Sequence, residues 1–196
     1  MQKDKKITGK TIVVTGATSG IGLATANALA GRGEFVIGVG RSQTRCQEAM
    51  SFIKKNYPQA DLLYLVADFS SLKQVKRLAA EIKEVLASRG RGLDVLINNA
   101  GTFCSWYTTS AEGHELQLAV NHLAPFLLTH ELMPLLRKAP AARILTVSSG
   151  SHYGTWINWR DIQLRRHYNC LWAYKRSKLA DCVKYSSQFP IETPLD

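Results

Sequence analysis

The chain has 196 residues, 45% of them hydrophobic and 20% charged, which is the makeup of one globular domain able to bury a full core. No run reaches the roughly 18 to 20 apolar residues of a membrane span, and the opening MQKDKKITGK has no signal-peptide core, so a cytoplasmic protein without a membrane span is expected. The formal charge of +10 is spread in small basic groups without an aromatic stacking platform, a pattern that argues against nucleic acid and membrane partners. Cys46, Cys104, Cys170 and Cys182 show neither CxxC nor metal-ligand spacing and are expected as reduced thiols, with no metal site.

Short β-rich runs alternate with longer helical patterns, the order of a parallel α/β sheet. Strands are predicted at Thr11 to Thr15 (TIVVT), Phe35 to Val39 (FVIGV), Leu62 to Ala67 (LLYLVA), Leu93 to Ile97 (LDVLI) and Arg143 to Val147 (RILTV). Helices are predicted near 21–31, 43–55, 71–88, 112–137 and 173–187, each long enough to serve as a crossover. Apolar runs without strict alternation imply burial on both faces, hence a doubly wound Rossmann-type sheet with helices on both sides. The tail FPIETPLD carries two prolines and is not expected to add a buried strand, so the sheet stops at five.

Directly after the first strand comes Thr15-Gly16-Ala17-Thr18-Ser19-Gly20-Ile21-Gly22, then the helical run LATANALA. Glycines at 16, 20 and 22 let the chain turn tightly and let a pyrophosphate approach the N–H groups and positive dipole end of a helix. The strand-turn-helix setting favours that reading over an ordinary turn. At the end of the second strand, where NAD enzymes place an acid for the ribose 2′-hydroxyl, the sequence reads Val39-Gly40-Arg41-Ser42. A guanidinium there suits the 2′-phosphate of NADP, so NADP(H) is favoured over NAD(H), with a plain solvated arginine as the alternative.

Among the seven tyrosines, Tyr174 alone is followed by lysine four residues later, in YKRSK. That spacing puts Tyr174 and Lys178 on one helix face, where the ammonium can stabilise a phenolate and make the tyrosine a general acid/base. Three further segments lie between the glycine turn and this pair: Asn98-Asn99-Ala100-Gly101 after the fourth strand, Val120-Asn121-His122-Leu123 in the long helix, and Val147-Ser148-Ser149 at the fifth strand.

In this order the motifs closely resemble those of the short-chain dehydrogenase/reductase superfamily, over about residues 9 to 187. The resemblance implies hydride transfer between NADP(H) and an alcohol/carbonyl pair in one dinucleotide-binding domain. It implies a catalytic set of Asn121, Ser149, Tyr174 and Lys178. Ser149, the second of the serine pair, would bond the substrate oxygen and Tyr174 would exchange its proton. Lys178 would bind the nicotinamide ribose, and Asn121 would hold a water in a relay to it. Gly16, Thr18, Ser19, Gly20, Ile21 and Gly22 would face the cofactor with Arg41, Asp68, Asn98, Ala100 and Gly101, as would Tyr174 and Lys178. Asp68 also suits a helix cap, and 98–101 also suits a turn. NHLAPFLLTHELMPLL, SKLAD and the long span from Ser149 to Tyr174 resemble the retinol dehydrogenase and WW-domain oxidoreductase-like branch. That implies a lipophilic alcohol or carbonyl, such as a retinoid or steroid, and a homodimer through the helices bearing Asn121 and Tyr174. The strands and substrate-covering segment that follow the YxxxK helix in full-length members are missing here, so the chain reads as a truncated member whose fifth strand is an open edge. The alternative is a dinucleotide-binding or dimerising fragment without turnover.

Overall fold

A computed structural model describes residues 9–188, and the side chains of the last helix through Cys182. The proline-bearing tail, 189–196, lies outside the described residues. Five parallel strands, β1 (Thr11–Thr15), β2 (Phe35–Gly40), β3 (Leu62–Val66), β4 (Val95–Asn98) and β5 (Arg143–Thr146), form one sheet in the order β3-β2-β1-β4-β5. Helices α1 (Gly20–Ala30), α2 (Gln43–Asn56), α3 (Leu72–Ser88), α4 (Leu116–Leu118), α5 (Ala124–Leu136) and α6 (Cys170–Gln188) complete it.

Every residue of β1 and β2 is buried, so successive side chains feed two cores on opposite faces of the sheet. One core joins Val13, Ile37 and Leu96 to Val75, Leu78 and Ile82 of α3 and Leu128 and Leu132 of α5. The other joins Ile12, Val14 and Val36 to Ala26 and Ala30 of α1 and Ile53 of α2. The apolar positions of α3 recur at Val75, Leu78, Ala79, Ile82 and Leu86, the spacing of a single buried helix face. Its start is capped by Ser71, whose hydroxyl accepts the Gln74 N–H at 3.4 Å.

Two sequence expectations are corrected by local chemistry. The helix predicted over 112–137 is broken at its start: Gly113 takes φ +80°, Thr109 and Glu115 form an antiparallel bridge, and the helical path begins only at Leu116. Ala119–Leu123 then widens into a π turn before α5. The fourth strand begins at Val95 rather than Leu93, because the carboxylate of Asp94 accepts the Thr11 N–H at 2.8 Å ahead of the ladder. β5 is last in the strand order, with Arg143 and Leu145 exposed and Leu145 at 49%. Among the described residues, no helix is long and apolar enough to cross a membrane.

Candidate active site

Strand order reverses between β2-β1 and β4-β5, and the crevice this opens lies beyond the carboxyl ends of β1 and β4, where open α/β sheets bind ligands. A cavity of about 630 Å³ fills it.

At one end is the glycine turn. Gly16 and Gly20 take φ of +66° and +52°, conformations that glycine adopts without a Cβ penalty. A Cβ on Gly22 would lie 2.2 Å from the Gly16 carbonyl oxygen, and one on Gly16 would lie 2.9 Å from the Ala100 Cα. Ser19 caps α1 without using its side chain, so the first N–H groups of α1 are left without that partner. The turn is fastened from β4. Thr15 Oγ1 accepts the Asn99 and Ala100 N–H groups, both at 3.0 Å, and donates to the Ile97 carbonyl at 3.3 Å. Asn99 Nδ2 donates to the Thr15 carbonyl at 2.9 Å. From the other side the Tyr64 hydroxyl donates to the Ala17 carbonyl at 2.8 Å, and its ring lies over Gly38, where a Cβ would be 2.6 Å away. Burial pushes the Tyr64 phenol well above its usual range.

Arg41 and Arg45 line the cavity beside this turn, at the end of β2 and in the first turn of α2. Asp68 lines it as well, while one of its carboxylate oxygens accepts the Ser70 N–H at 2.9 Å. At the opposite end stand Tyr174 and Lys178 of α6, with Phe103 edge-on to the Tyr174 ring at 5.8 Å. The Lys178 ammonium donates to the Val147 carbonyl at 2.9 Å, lies 3.7 Å from the Asp181 carboxylate and sits 6.0 Å from the Tyr174 ring centre. The aliphatic stem is buried, and these contacts fix the head.

Of the residues singled out by sequence, Gly16, Thr18, Ser19, Ile21, Gly22, Arg41, Asp68, Ala100, Gly101, Tyr174 and Lys178 line this one cavity. Gly20 is the exposed first residue of α1 and is not among the lining residues. Asn98 is elsewhere: it is buried, and its Nδ2 donates to Thr129 Oγ1 of α5 at 3.0 Å. Asn121, in the π turn, is buried behind Gly101. Its Oδ1 accepts the Thr102 N–H at 2.7 Å, and its Nδ2 donates to the Thr102 carbonyl at 3.0 Å and to Ser177 Oγ at 2.9 Å. Ser149 opens the short 3₁₀ turn Gly150–His152, its hydroxyl accepting the Ser151 N–H at 3.3 Å. Ser148 lines the cavity, and its hydroxyl donates to the Lys178 carbonyl at 3.2 Å.

The short chain dehydrogenase family profile matches residues 10–160. The chain belongs to this family. Retinol dehydrogenase 12 of Bos taurus is 38% identical over 180 residues, a match covering 92% of this chain and 56% of that protein. Similarity of this kind places the chain in the retinol dehydrogenase-like branch, and the chain spans about half the length of the curated relatives it matches. In three dimensions it superposes on an uncharacterized protein from Mycobacterium paratuberculosis with a TM-score of 0.79 and 35% identity, covering 91% of this chain and 61% of that one. A short chain dehydrogenase from Escherichia coli CFT073 complexed with NADPH gives a TM-score of 0.68 at 27% identity, covering 89% and 68%.

Residues not singled out by the sequence also shape the site. Thr15 and Asn99 lock the turn, Arg45 adds a second cation, and Phe103 walls the tyrosine end. Gln117 joins three segments: its Nε2 reaches the Cys104 carbonyl at 3.2 Å, the Tyr168 hydroxyl at 2.9 Å and the Cys170 carbonyl at 3.1 Å. The available signal was a glutamine, fully buried in the fold, two residues after Glu115 at a helix start.

Proposed function

We propose that the chain is the cofactor-binding and catalytic part of an NADP(H)-dependent oxidoreductase that interconverts a lipophilic alcohol and its carbonyl. The observation that carries this reading is a single cavity with a glycine turn and two arginines at one end and the Tyr174/Lys178 pair at the other. The bare main chain of Gly16 and Gly22 and the free helix start fit a pyrophosphate. Arg41 and Arg45, with no acid between them and the end of β2, fit a 2′-phosphate. The NADPH complex of the Escherichia coli neighbour is in keeping with that choice.

When bound, the nicotinamide supplies or accepts the hydride. Tyr174 gives its hydroxyl proton to the substrate oxygen in reduction and takes it back in oxidation. Lys178, held by the Val147 carbonyl with its ammonium 6.0 Å from the Tyr174 ring centre, offers a donor to the ribose. Ser149 bonds the substrate oxygen. Asn121 has its amide occupied by Thr102 and Ser177, so the relay water is assigned to main-chain carbonyls that the π turn removes from the regular helix ladder. Gly20, Asp68, Ala100 and Gly101 complete the cofactor's surroundings, and Asn98 supports them from behind through Thr129. A cytoplasmic homodimer, paired through the helices that bear Asn121 and Tyr174, belongs to the same reading; sedimentation across micromolar concentrations tests it.

NADPH-dependent reduction of a panel of hydrophobic aldehydes and ketones, with Tyr174→Phe as the control, tests the reaction. The alternative reading is a dinucleotide-binding module without turnover. Tight NADPH binding with no reduction of any carbonyl would select it.

A further inference from the structure

The π turn grips α6 at two positions, 177 and 181, whose spacing puts them on one face of that helix. Asn121 reaches Ser177 Oγ at 2.9 Å, and the next residue, His122, reaches Asp181, its Nδ1 lying 3.2 Å from Oδ1. The second tie ends on a carboxylate outside the catalytic set. Asp181 is only 2% exposed, and it is not among the residues lining the cavity.

A carboxylate withdrawn from water is costly unless hydrogen bonds or an opposite charge compensate it. Oδ1 has the imidazole, and because an ionised carboxylate can only accept, His122 Nδ1 carries the proton of that bond. Oδ2 is buried and, among the described residues, has no hydrogen-bond partner. Beside it stands a cation, the Lys178 ammonium at 3.7 Å, three residues earlier on the same helix. Lys178 is itself buried, and its hydrogen bond to the Val147 carbonyl is to a neutral group that leaves its charge unbalanced. Each buried charge is therefore the compensation available to the other. The other titratable side chains brought to this spot are Tyr174 and Cys182, both on α6; the segment after β5 adds the Ser148 hydroxyl, 3.2 Å from Cys182 Sγ.

We propose that Asp181 is a positioning residue of the active site: oriented by His122, its carboxylate is the counter-ion that holds the Lys178 ammonium in place and offsets the pull of that charge on the Tyr174 hydroxyl. The effect on Tyr174 rests on the oxidoreductase reading, whereas the pairing of Asp181 with Lys178 does not. The ammonium stands at the cavity wall, 3.7 Å from where a Cβ on Gly101 would lie, so the carboxylate acts on the site from behind, through the lysine. A carboxylate that served only packing could be exchanged for the isosteric amide, which keeps an oxygen for the His122 N–H. A counter-ion could not, since the amide leaves the ammonium buried without its opposite charge.

The test has two arms. In the first, urea unfolding is compared for the whole chain, Asp181→Asn, Lys178→Met and the double variant. Removing one partner leaves the other charge buried alone, whereas removing both leaves neither. Each single variant should unfold at lower urea, and the double variant should regain part of the loss and unfold above the weaker single. If Asp181→Asn does not fold by itself, recovery of folded protein in the double variant is the same result. Losses that simply add, or a double variant no more stable than the weaker single, overturn the proposal. In the second arm, kcat for carbonyl reduction is followed against pH. Tyr174 must hold its proton in order to donate it, so the rate falls on the alkaline side. Without the carboxylate the ammonium favours the phenolate more strongly, and in Asp181→Asn that alkaline limb should move to lower pH by about half a unit to one unit. A structural role alone would lower the rate and leave the limb where it is, and an unmoved limb overturns the positioning role. Coupled stabilities in a protein that reduces no carbonyl would uphold the ion pair and defeat the oxidoreductase reading separately.

Discussion

At the glycine-turn end of the cavity, main chain packs against main chain: Gly22 lies against the Gly16 carbonyl, Gly16 against Ala100, and Asn99 and Thr15 stitch the contact. At the tyrosine end, side chains hold the frame, with Asn121, Ser177, Gln117 and Tyr168 bridging segments far apart in sequence. The first end leaves no room for a side chain at Gly16 or Gly22. The second depends on polar side chains that join distant segments. Binding and chemistry should therefore separate by mutation.

The largest expected effect lies at the second end. In a protein that turns over, Tyr174→Phe should lower kcat by about a hundred- to ten-thousandfold, the usual contribution of a general acid/base. The ring contact with Phe103 is kept, so NADPH affinity by fluorescence titration should stay within error. Near-normal turnover would remove Tyr174 from the chemistry and erase the contrast between the ends.

Gly22→Ala probes the first end. Its Cβ would be forced to within 2.2 Å of a main-chain oxygen and 2.5 Å of Asn99 Nδ2, neither of which can move without opening the turn. A loss of about 1 to 3 kcal/mol in urea unfolding is expected, the range for overpacking a tight interior, together with weakened NADPH binding. Unchanged stability and affinity would show that the turn is looser than its contacts imply.

Arg41→Ala sharpens the same end without touching its packing, since the residue is exposed. NADPH is expected to bind more tightly than NADH, and the substitution should narrow the gap by about 1 to 3 kcal/mol, the scale of a hydrogen bond to a charged group. Arg45 in the same wall should retain part of the preference. Equal affinities of the two cofactors in the unmutated chain would rule out a 2′-phosphate site.

The glycine-turn end is largely legible in the sequence because its determinants are local: a strand, three glycines and a helix within a dozen residues, with Arg41 one strand further on. Even there the part played by Asn99 is hidden. Its neighbours Asn98 and Ala100 fit the motif, yet it is the Asn99 amide that holds the turn, while Asn98 faces α5. At the tyrosine end the YxxxK pair can be read, but the frame holding it cannot. Gln117 bonds to Cys104, Tyr168 and Cys170, and no periodicity relates those positions. The long helix expected over 112–137 fails for a local reason, since Gly113 and the capping carboxylate of Glu115 end the preceding loop inside it. The π turn at Asn121 follows from tertiary demands: the amide must reach Thr102 and Ser177 at once.

Glu115 offers the finest test of how the tyrosine end is held. Its carboxylate accepts the Gln117 N–H at 2.9 Å and the Leu118 N–H at 2.7 Å, and the Tyr168 hydroxyl at 3.4 Å. Burial nonetheless outweighs these bonds and raises its pKa above the usual 4.5, while burial also pushes Tyr168 up to about 12. For an acid whose folded pKa is raised, the folded state binds more protons than the unfolded chain between the two values, so stability falls as pH rises through the folded pKa. Ionisation of Glu115 therefore opposes folding, and acidification toward 4.5 relieves it. Glu115→Gln removes the titration but keeps an oxygen that can accept one of the two helix N–H groups. The stability of the unmutated protein relative to this variant, from urea unfolding at a series of pH values, should decline from pH 4.5 to neutral. A difference that is flat, or that grows with pH, would mean that the helix-start bonds dominate burial, and that the tyrosine end is held by charge rather than in spite of it.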